Sequence, residues 1–285
     1  MTEKIAVMGA GTMGSGIAQI AVEAGFAVTV VDTEQAFVDR GIGGIKKFLE
    51  KKVAKGTYTQ EQFKAMDGRL SGTTDIKKAV EGAVMVVEAV FENIDLKKEI
   101  FQKLDGLCPK EVILASNTST LSISVIAGVT KNPSRVIGTH YFSPVPLMRL
   151  VEVIRGKETS DATAAKTVEL CKKFGKTPIV VKDIPGFIVN RFLCLIYNEA
   201  ANMIHNGSAS AQDIDMAMKL GCNWPMGITE IIDLAGVDVC AFAMEAMYQM
   251  TGEERYKPSP LFAKMLAEKK LGRKTGEGFY KYNNK

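Results

Sequence analysis

Short, uniformly apolar runs alternate with longer helical patterns through the first half of the chain. The apolar runs are rich in valine and isoleucine and cover residues 5–10, 27–32, 83–90, 111–117 and 135–142. Strands that are buried on both faces of a parallel sheet have this composition. Segments of helical periodicity lie between them, at 14–24, 34–55, 93–105 and 121–127. The repeated order of strand and helix predicts an α/β fold with a doubly wound parallel sheet.

The pattern changes near Pro185 and Gly186. Before this point the chain has two more strand candidates, 149–154 and 177–183, and a helix candidate at 161–174. Beyond it, only helical segments follow, and each begins near Ser, Asp or Pro or ends near Gly, as helix boundaries do. We therefore predict an α/β domain over residues 1–184 and a smaller all-helical domain over 185–285.

Composition narrows the class of protein. Hydrophobic residues make up 46% of the chain and charged residues 24%, with a formal net charge of only +4. The sequence contains no dense basic block of the kind that binds nucleic acid. No apolar stretch approaches the roughly 20 residues of a membrane span. The five cysteines form no CxxC pair, which favours reduced thiols. We expect a cytoplasmic protein without a signal peptide, a membrane partner or a metal site.

A glycine-rich loop follows the first strand candidate and opens the first helix candidate. The sequence GAGTMG fits the pattern GxGxxG, and its members are Gly9, Ala10, Gly11, Thr12, Met13 and Gly14. Such a loop lets the backbone approach a pyrophosphate, while the helix N-terminus supplies N–H groups and partial positive charge. Asp32 ends the next strand candidate, where a carboxylate binds the ribose of a dinucleotide. We therefore predict a Rossmann-like domain that binds NAD rather than NADP, since a 2′-phosphate would meet this carboxylate.

One of the two histidines lies at the end of a strand candidate in THYFSPVPLMRLVE. Oxidation of an alcohol by NAD leaves a proton to be accepted, and an imidazole can exchange protons near neutral pH. A strand–turn–strand arrangement around two prolines could bring His140 to Glu152, although spacing alone does not establish contact. A histidine near a strand end is more often structural, and beside a dinucleotide loop the structural and the catalytic role are both open.

Several separated motifs give the chain a family resemblance. With GAGTMG, SNTSTLSI, THYFSPVPLMRLVE, DIPGFIVNRFLCLIYNEA and the closing KTGEGFYKY, it resembles the L-3-hydroxyacyl-CoA dehydrogenase family over essentially its whole length. The resemblance implies an NAD-binding domain over residues 1–184 and a helical dimerisation and substrate domain over 185–285, with a substrate cleft between them. It also implies a homodimer, an acyl-CoA substrate, and interconversion of (S)-3-hydroxybutyryl-CoA and acetoacetyl-CoA.

The resemblance also assigns roles to residues. His140 matches the catalytic histidine and Glu152 its carboxylate partner, while Ser119 and Asn190 match residues near the reacting oxygen of the substrate. Cofactor-proximal positions match Glu92, Lys97 and Lys274. The lysine that binds CoA should lie in the 34–55 helix, where the candidates are Lys51, Lys52 and Lys55.

Two departures and two alternatives stay open at this point. Ser143 stands where many members of the family have Asn, which puts that contact in doubt, and Ile228 stands where Pro is common. The same fold could instead oxidise a free hydroxy acid, such as a sugar acid or carnitine. It could also serve a dinucleotide sensor without catalysis, against which the His140 and Glu152 pair argues. The lysines could equally form a solvated helix face.

Overall fold

A computed structural model describes residues 2–282, which divide into two compact units after Ile184. The described part of the N-terminal unit contains an eight-stranded sheet with the order β3-β2-β1-β4-β5-β6-β7-β8. The strands are β1 Lys4–Met8, β2 Ala27–Val31, β3 Leu70–Thr73, β4 Ala83–Glu88, β5 Ile113–Ser116, β6 Val136–Tyr141, β7 Leu150–Arg155 and β8 Thr177–Lys182. Neighbouring strands are parallel except β6 and β7. The predicted doubly wound α/β fold is confirmed.

Helices connect the strands of this unit. They are α1 Thr12–Glu23, α2 Gln35–Ala54, α3 Gln60–Asp67, α4 Ile76–Val80, α5 Ile94–Leu107, α6 Ile123–Ala127 and α7 Asp161–Lys173. The sequence pattern did not predict α3, α4 or β3. The strand β3 has the sequence LSGT and lies at the sheet edge with its middle residues exposed, so it lacks the apolar run of an inner strand. Helix α3 did carry a signal, because Thr59 and Gln62 form a capping box.

The antiparallel pair β6 and β7 is joined by the proline-containing turn. Leu147 and Met148 donate backbone hydrogen bonds to the carbonyl oxygen of Pro144, at 2.9 and 3.1 Å. Val145 is buried and leaves no room beside Gly16 of α1, where a Cβ would lie 2.8 Å from the Cβ of Val145. The turn is therefore packed against the helix that follows the glycine-rich loop.

The described part of the C-terminal unit is built from helices and short 3₁₀ turns. The helices are α8 Val189–His205, α9 Ala211–Gly221, α10 Ile228–Ala235, α11 Val237–Thr251 and α12 Pro260–Ala267. Two buried carboxylates organise it: Asp215 accepts hydrogen bonds from the backbone and hydroxyl of Thr229, and Asp233 accepts from the backbone of Phe279 and Tyr280. The bonds of Asp215 join α9 to α10, and those of Asp233 hold the closing GFYKY segment on α10. None of the helices within residues 2–282 is long and apolar enough to cross a bilayer.

Candidate active site

The glycine-rich loop has the backbone geometry that a bound pyrophosphate requires. Gly9 has a φ of 98°, and a Cβ there would lie 2.6 Å from the carbonyl oxygen of Ala89. A Cβ on Gly14 would lie 1.9 Å from the carbonyl oxygen of Gly9. At Gly11, in contrast, a Cβ would meet no atom of the described residues within 4 Å. Gly9 and Gly14 therefore have no room for a side chain, whereas Gly11 borders free space. This arrangement fits a dinucleotide phosphate at the N-terminus of α1.

Asp32 follows β2 and lies beside this loop. Its Oδ2 accepts a hydrogen bond from the backbone N–H of Ala10 at 2.7 Å, and its Oδ1 accepts one from the backbone of Thr33 at 2.7 Å. The carboxylate thus braces the loop directly. Its remaining acceptor capacity suits the ribose hydroxyls of a dinucleotide.

His140 and Glu152 are brought together by the register of β6 and β7. The two residues are direct partners across the antiparallel pair, so their side chains leave the same face of the sheet. His140 Nδ1 lies 2.7 Å from Glu152 Oε2, and the side chains are 8% and 0% exposed. The ring of Phe142 contacts the imidazole at a centroid distance of 4.4 Å. A buried carboxylate in this position orients the imidazole ring and can fix which ring nitrogen carries the proton.

Glu92 organises the SNTS segment that carries Ser119. Its Oε1 accepts hydrogen bonds from the hydroxyl of Thr118 at 2.5 Å and from the backbone N–H groups of Ser119 and Thr120 at 3.0 and 3.3 Å. Burial alone would raise the pKa of Glu92, but the charge of Lys97 and these hydrogen bonds outweigh it and lower the pKa below its ordinary value. Glu92 is therefore a carboxylate that holds the backbone of Ser119.

Lys97 is almost completely buried, with a side chain that is 1% exposed. Its Nζ lies 2.6 Å from Glu88 Oε1 and 3.4 Å from Glu92 Oε2. The fully buried Glu88 was not predicted as a site residue, because it ends the apolar run of β4 and matches no motif. A charged residue inside a run predicted to be buried on both faces was the available signal.

Asn117 was also missed, and it connects the ends of three strands. Its backbone N–H donates to the carbonyl oxygen of Glu88 at 2.7 Å, and its side-chain oxygen accepts from the backbone of Tyr141 at 3.0 Å. Tyr141 follows His140 directly. The carboxyl ends of β4, β5 and β6 are therefore tied together beside the His140 and Glu152 pair.

The three lysines predicted as candidates for CoA binding differ in their surroundings. Lys52 forms an ion pair with Glu23 at 2.8 Å and lies over the rings of Phe48 and Tyr58, at 5.2 and 5.1 Å. Burial alone would lower the pKa of Lys52, but the hydrogen bond and charge of Glu23 outweigh it and raise the pKa. Lys51 and Lys55 are exposed at the end of α2.

The other predicted site residues lie in the C-terminal unit. Asn190 is half-buried in the first turn of α8, directly after a strained segment in which Gly186 and the buried Phe187 both have positive φ values, of 72° and 49°. A bulky residue in this conformation costs energy and is held by its surroundings. Lys274 lies in a 3₁₀ turn and binds both carboxylate oxygens of Asp238, at 2.6 and 2.7 Å. Their roles toward substrate and cofactor stay predictions from the resemblance.

The two departures from the family pattern lie on different elements. Ser143 is exposed and precedes Pro144 in the turn between β6 and β7. Ile228 is the first residue of α10 and is buried, so the helix begins there without the proline that often occupies this position.

A mostly parallel sheet with a glycine-rich phosphate loop and a buried histidine–carboxylate pair is typical of dinucleotide-dependent dehydrogenases. Comparison with known protein families identifies the family to which this dehydrogenase belongs. Residues 4–184 match the 3-hydroxyacyl-CoA dehydrogenase, NAD binding domain, and residues 186–282 match the 3-hydroxyacyl-CoA dehydrogenase, C-terminal domain. The chain belongs to the 3-hydroxyacyl-CoA dehydrogenase family and is an NAD-dependent oxidoreductase, which confirms the family and cofactor predictions.

Individual relatives match over nearly the full length of the chain. A probable 3-hydroxybutyryl-CoA dehydrogenase of Deinococcus radiodurans is 46% identical over 98% of this chain and 100% of its own length. The 3-hydroxybutyryl-CoA dehydrogenase of Clostridioides difficile is 43% identical over 98% of this chain and 99% of its own. The crystal structure of (S)-3-hydroxybutyryl-CoA dehydrogenase from Ralstonia eutropha is similar over 100% of both chains, with a TM-score of 0.96 at 42% identity.

Proposed function

We propose that this enzyme interconverts (S)-3-hydroxybutyryl-CoA and acetoacetyl-CoA, with His140 as the general acid and base. The observation that carries the proposal is the buried contact of 2.7 Å between His140 Nδ1 and Glu152 Oε2. The names of the bacterial relatives support the choice of a short acyl chain.

In the direction of oxidation, the hydroxyl of the substrate loses a proton while the carbon that bears it loses a hydride. NAD, when bound, accepts that hydride. Because Nδ1 of His140 is engaged by Glu152, we assign the proton transfer to Nε2. The imidazole becomes a cation as it accepts the proton, and the adjacent Glu152 carboxylate stabilises that charge. In the reverse direction the imidazolium returns the proton to the forming alkoxide.

Ser119 is the residue that we assign to the reacting oxygen within the N-terminal unit. Its hydroxyl can donate a hydrogen bond to the oxygen that develops negative charge, and donors aimed at such charge are a large source of catalysis. Its backbone is held by Glu92 at 3.0 Å, which limits the positions that the hydroxyl can reach. Asn190, which the family resemblance places near the same oxygen, is proposed as a second donor.

The CoA part of the substrate is assigned to the end of α2. Lys51 and Lys55 are exposed, whereas Lys52 is engaged by Glu23 and two rings. A phosphate group attracts exposed ammonium groups whose charge is not already neutralised. We therefore favour Lys51 and Lys55 over Lys52 as the CoA contacts.

The C-terminal unit is proposed to form a homodimer. Several of its large apolar side chains are more than half exposed to solvent: Phe192, Met216, Leu220, Leu234, Val239 and Phe242. Exposed apolar surface of this kind marks interaction sites. Sedimentation at several protein concentrations should give twice the mass of the chain, and a monomer at all concentrations would exclude this part of the proposal.

The loss of NADH absorbance with acetoacetyl-CoA as substrate tests the reaction. The wild type should turn over acetoacetyl-CoA. Its turnover of free acetoacetate and of other free 3-oxo acids should be much slower. His140→Ala should lose most of this activity. A wild type that prefers a free acid would replace the proposed substrate, and normal turnover by His140→Ala would exclude the acid/base role.

A further inference from the structure

Glu88 is a buried carboxylate to which the proposed mechanism gives no task. It ends β4, its side chain is 0% exposed, and it binds Lys97, which is itself 1% exposed. A buried ion pair stabilises a fold only weakly, because desolvation of both charges offsets their attraction. Such a pair does impose one geometry on the groups around it, since every oxygen must keep its partner.

One connection runs from Glu88 through Ser116 to the segment before Ser119. Ser116 donates its hydroxyl hydrogen bond to Glu88 Oε2 at 2.6 Å, and its Oγ accepts the backbone N–H of Thr118 at 3.3 Å. The carbonyl oxygen of Glu88 accepts the backbone N–H of Asn117 at 2.7 Å. Glu88 thus holds the two residues that precede Ser119 by its side chain and by its backbone.

A second connection runs through Lys97 and Glu92. Lys97 Nζ lies 2.6 Å from Glu88 Oε1 and 3.4 Å from Glu92 Oε2, so its ammonium group bridges the two carboxylates. Glu92 in turn accepts the backbone N–H of Ser119 at 3.0 Å. The first connection therefore ends at Thr118 and the second at Ser119, so both reach adjacent residues of the SNTS segment.

We propose that Glu88 is a positioning residue for Ser119, acting through Lys97 and Glu92 on one side and through Ser116 on the other. It does not touch the substrate. It sets the place from which the Ser119 hydroxyl donates to the reacting oxygen, and a misplacement of about 1 Å costs up to about 100-fold in rate. This inference rests on the proposed function, because that function gives Ser119 its task.

The test is a double-mutant cycle of Glu88→Gln with Ser119→Ala, with turnover of acetoacetyl-CoA as the readout. Glu88→Gln keeps the shape of the side chain and removes its charge. It should lower kcat about 10-fold in the wild-type background and less than about 2-fold in the Ser119→Ala background, because it then has no hydroxyl to displace. Equal factors in both backgrounds would mean a merely structural role and would overturn the proposal.

A matched control is available in the same unit. Asp105 and Arg135 form another buried ion pair, at 2.8 Å, and Arg135 precedes β6 at the end of the strand opposite His140. Asp105→Asn should lower the melting temperature while kcat stays within about 2-fold of the wild type. If Asp105→Asn lowers kcat as much as Glu88→Gln does, the loss is one of general stability, and the proposal fails.

Two further measurements test the proposal even if Glu88→Gln folds poorly or the wild type does not turn over acetoacetyl-CoA. Ser116→Ala removes one hydrogen bond to Glu88 without changing charge, and it should lower kcat about 3-fold in the wild-type background only. Amide hydrogen exchange of residues 117–121 needs no substrate. Glu88→Gln should accelerate it about 10-fold, whereas Asp105→Asn should not. Unchanged exchange overturns the positioning role, while an inert wild type with accelerated exchange overturns only the proposed reaction.

Discussion

His140 and Glu152 are direct partners in the antiparallel pair formed by β6 and β7, and His140 Nδ1 lies 2.7 Å from Glu152 Oε2. Neighbouring strands elsewhere in the described sheet are parallel. The reversal at the proline turn is what places residues twelve positions apart opposite one another. A parallel continuation would have carried Glu152 away from His140.

Glu152→Gln tests the orienting role of the carboxylate. The amide keeps the size of the side chain but cannot stabilise an imidazolium, and it permits the wrong tautomer. We expect kcat to fall by at least about 100-fold, while the dissociation constant for NADH stays within about 3-fold. Stopped-flow turnover and NADH fluorescence titration measure the two quantities. Loss of NADH binding would indicate that Glu152 supports the fold rather than the chemistry.

Gly11→Ala and Gly14→Ala form a matched pair in the glycine-rich loop. A Cβ on Gly14 would lie 1.9 Å from the carbonyl oxygen of Gly9, whereas one on Gly11 would meet none of the described atoms within 4 Å. We expect Gly14→Ala to lower the melting temperature by several degrees and Gly11→Ala to leave it nearly unchanged. Gly11→Ala should nevertheless weaken NADH binding by about 10-fold. Tight NADH binding by Gly11→Ala would place the phosphates elsewhere.

Asp32→Asn tests cofactor selection. The substitution removes the negative charge that would repel a 2′-phosphate. It also weakens the hydrogen bond from the backbone N–H of Ala10, which lies 2.7 Å from Asp32 Oδ2 in the wild type. We expect NADH to bind about 10-fold more weakly, because a hydrogen bond to a charged group contributes roughly 1.5–3 kcal/mol. Relative use of NADPH should rise. Asp39→Asn, at an exposed position on α2, is the control and should change neither. A wild type that already prefers NADPH would contradict the role given to Asp32.

The lysines of α2 can be separated by their effects on KM and on stability. The double variant Lys51→Glu, Lys55→Glu should raise KM for acetoacetyl-CoA by about 10-fold and reduce its dependence on salt. Lys52→Ala removes the ion pair with Glu23, so it should lower the melting temperature and change KM by less than about 2-fold. The opposite result, with KM sensitive only to Lys52, would return the CoA contact to that residue.

The loss of folding stability in Asp105→Asn should depend on pH. Burial alone would raise the pKa of Asp105, but hydrogen bonds from Arg135 and the backbone of Lys131 outweigh it and hold the pKa below its ordinary value. Stability that arises from a lowered pKa is present above the unfolded value and is lost as the pH falls through the folded value. The wild type should be more stable than Asp105→Asn by about 2 kcal/mol at pH 7. Urea unfolding should show this gap narrowing below about pH 4, and a gap that widens in acid would contradict the assignment.

The sequence by itself determined most of the helices and strands and the class of chemistry. Valine-rich runs predicted the inner strands, because residues buried on both faces are mostly apolar. GAGTMG with Asp32 predicted the dinucleotide loop, because glycines allow a tight turn and a close approach of the backbone to a pyrophosphate. The edge strand β3 escaped because it has too little apolar surface to leave a pattern.

Tertiary structure decided which polar groups meet. The register of β6 and β7 placed Glu152 on His140, and the turn from β4 into α5 placed Lys97 between Glu88 and Glu92. It also distinguished Lys52 from its neighbours through a partner, Glu23, that lies on another helix. Periodicity along one chain reports how each element is buried, whereas contacts between distant residues depend on how the elements pack. The task of Glu88 could therefore be inferred only from the folded chain.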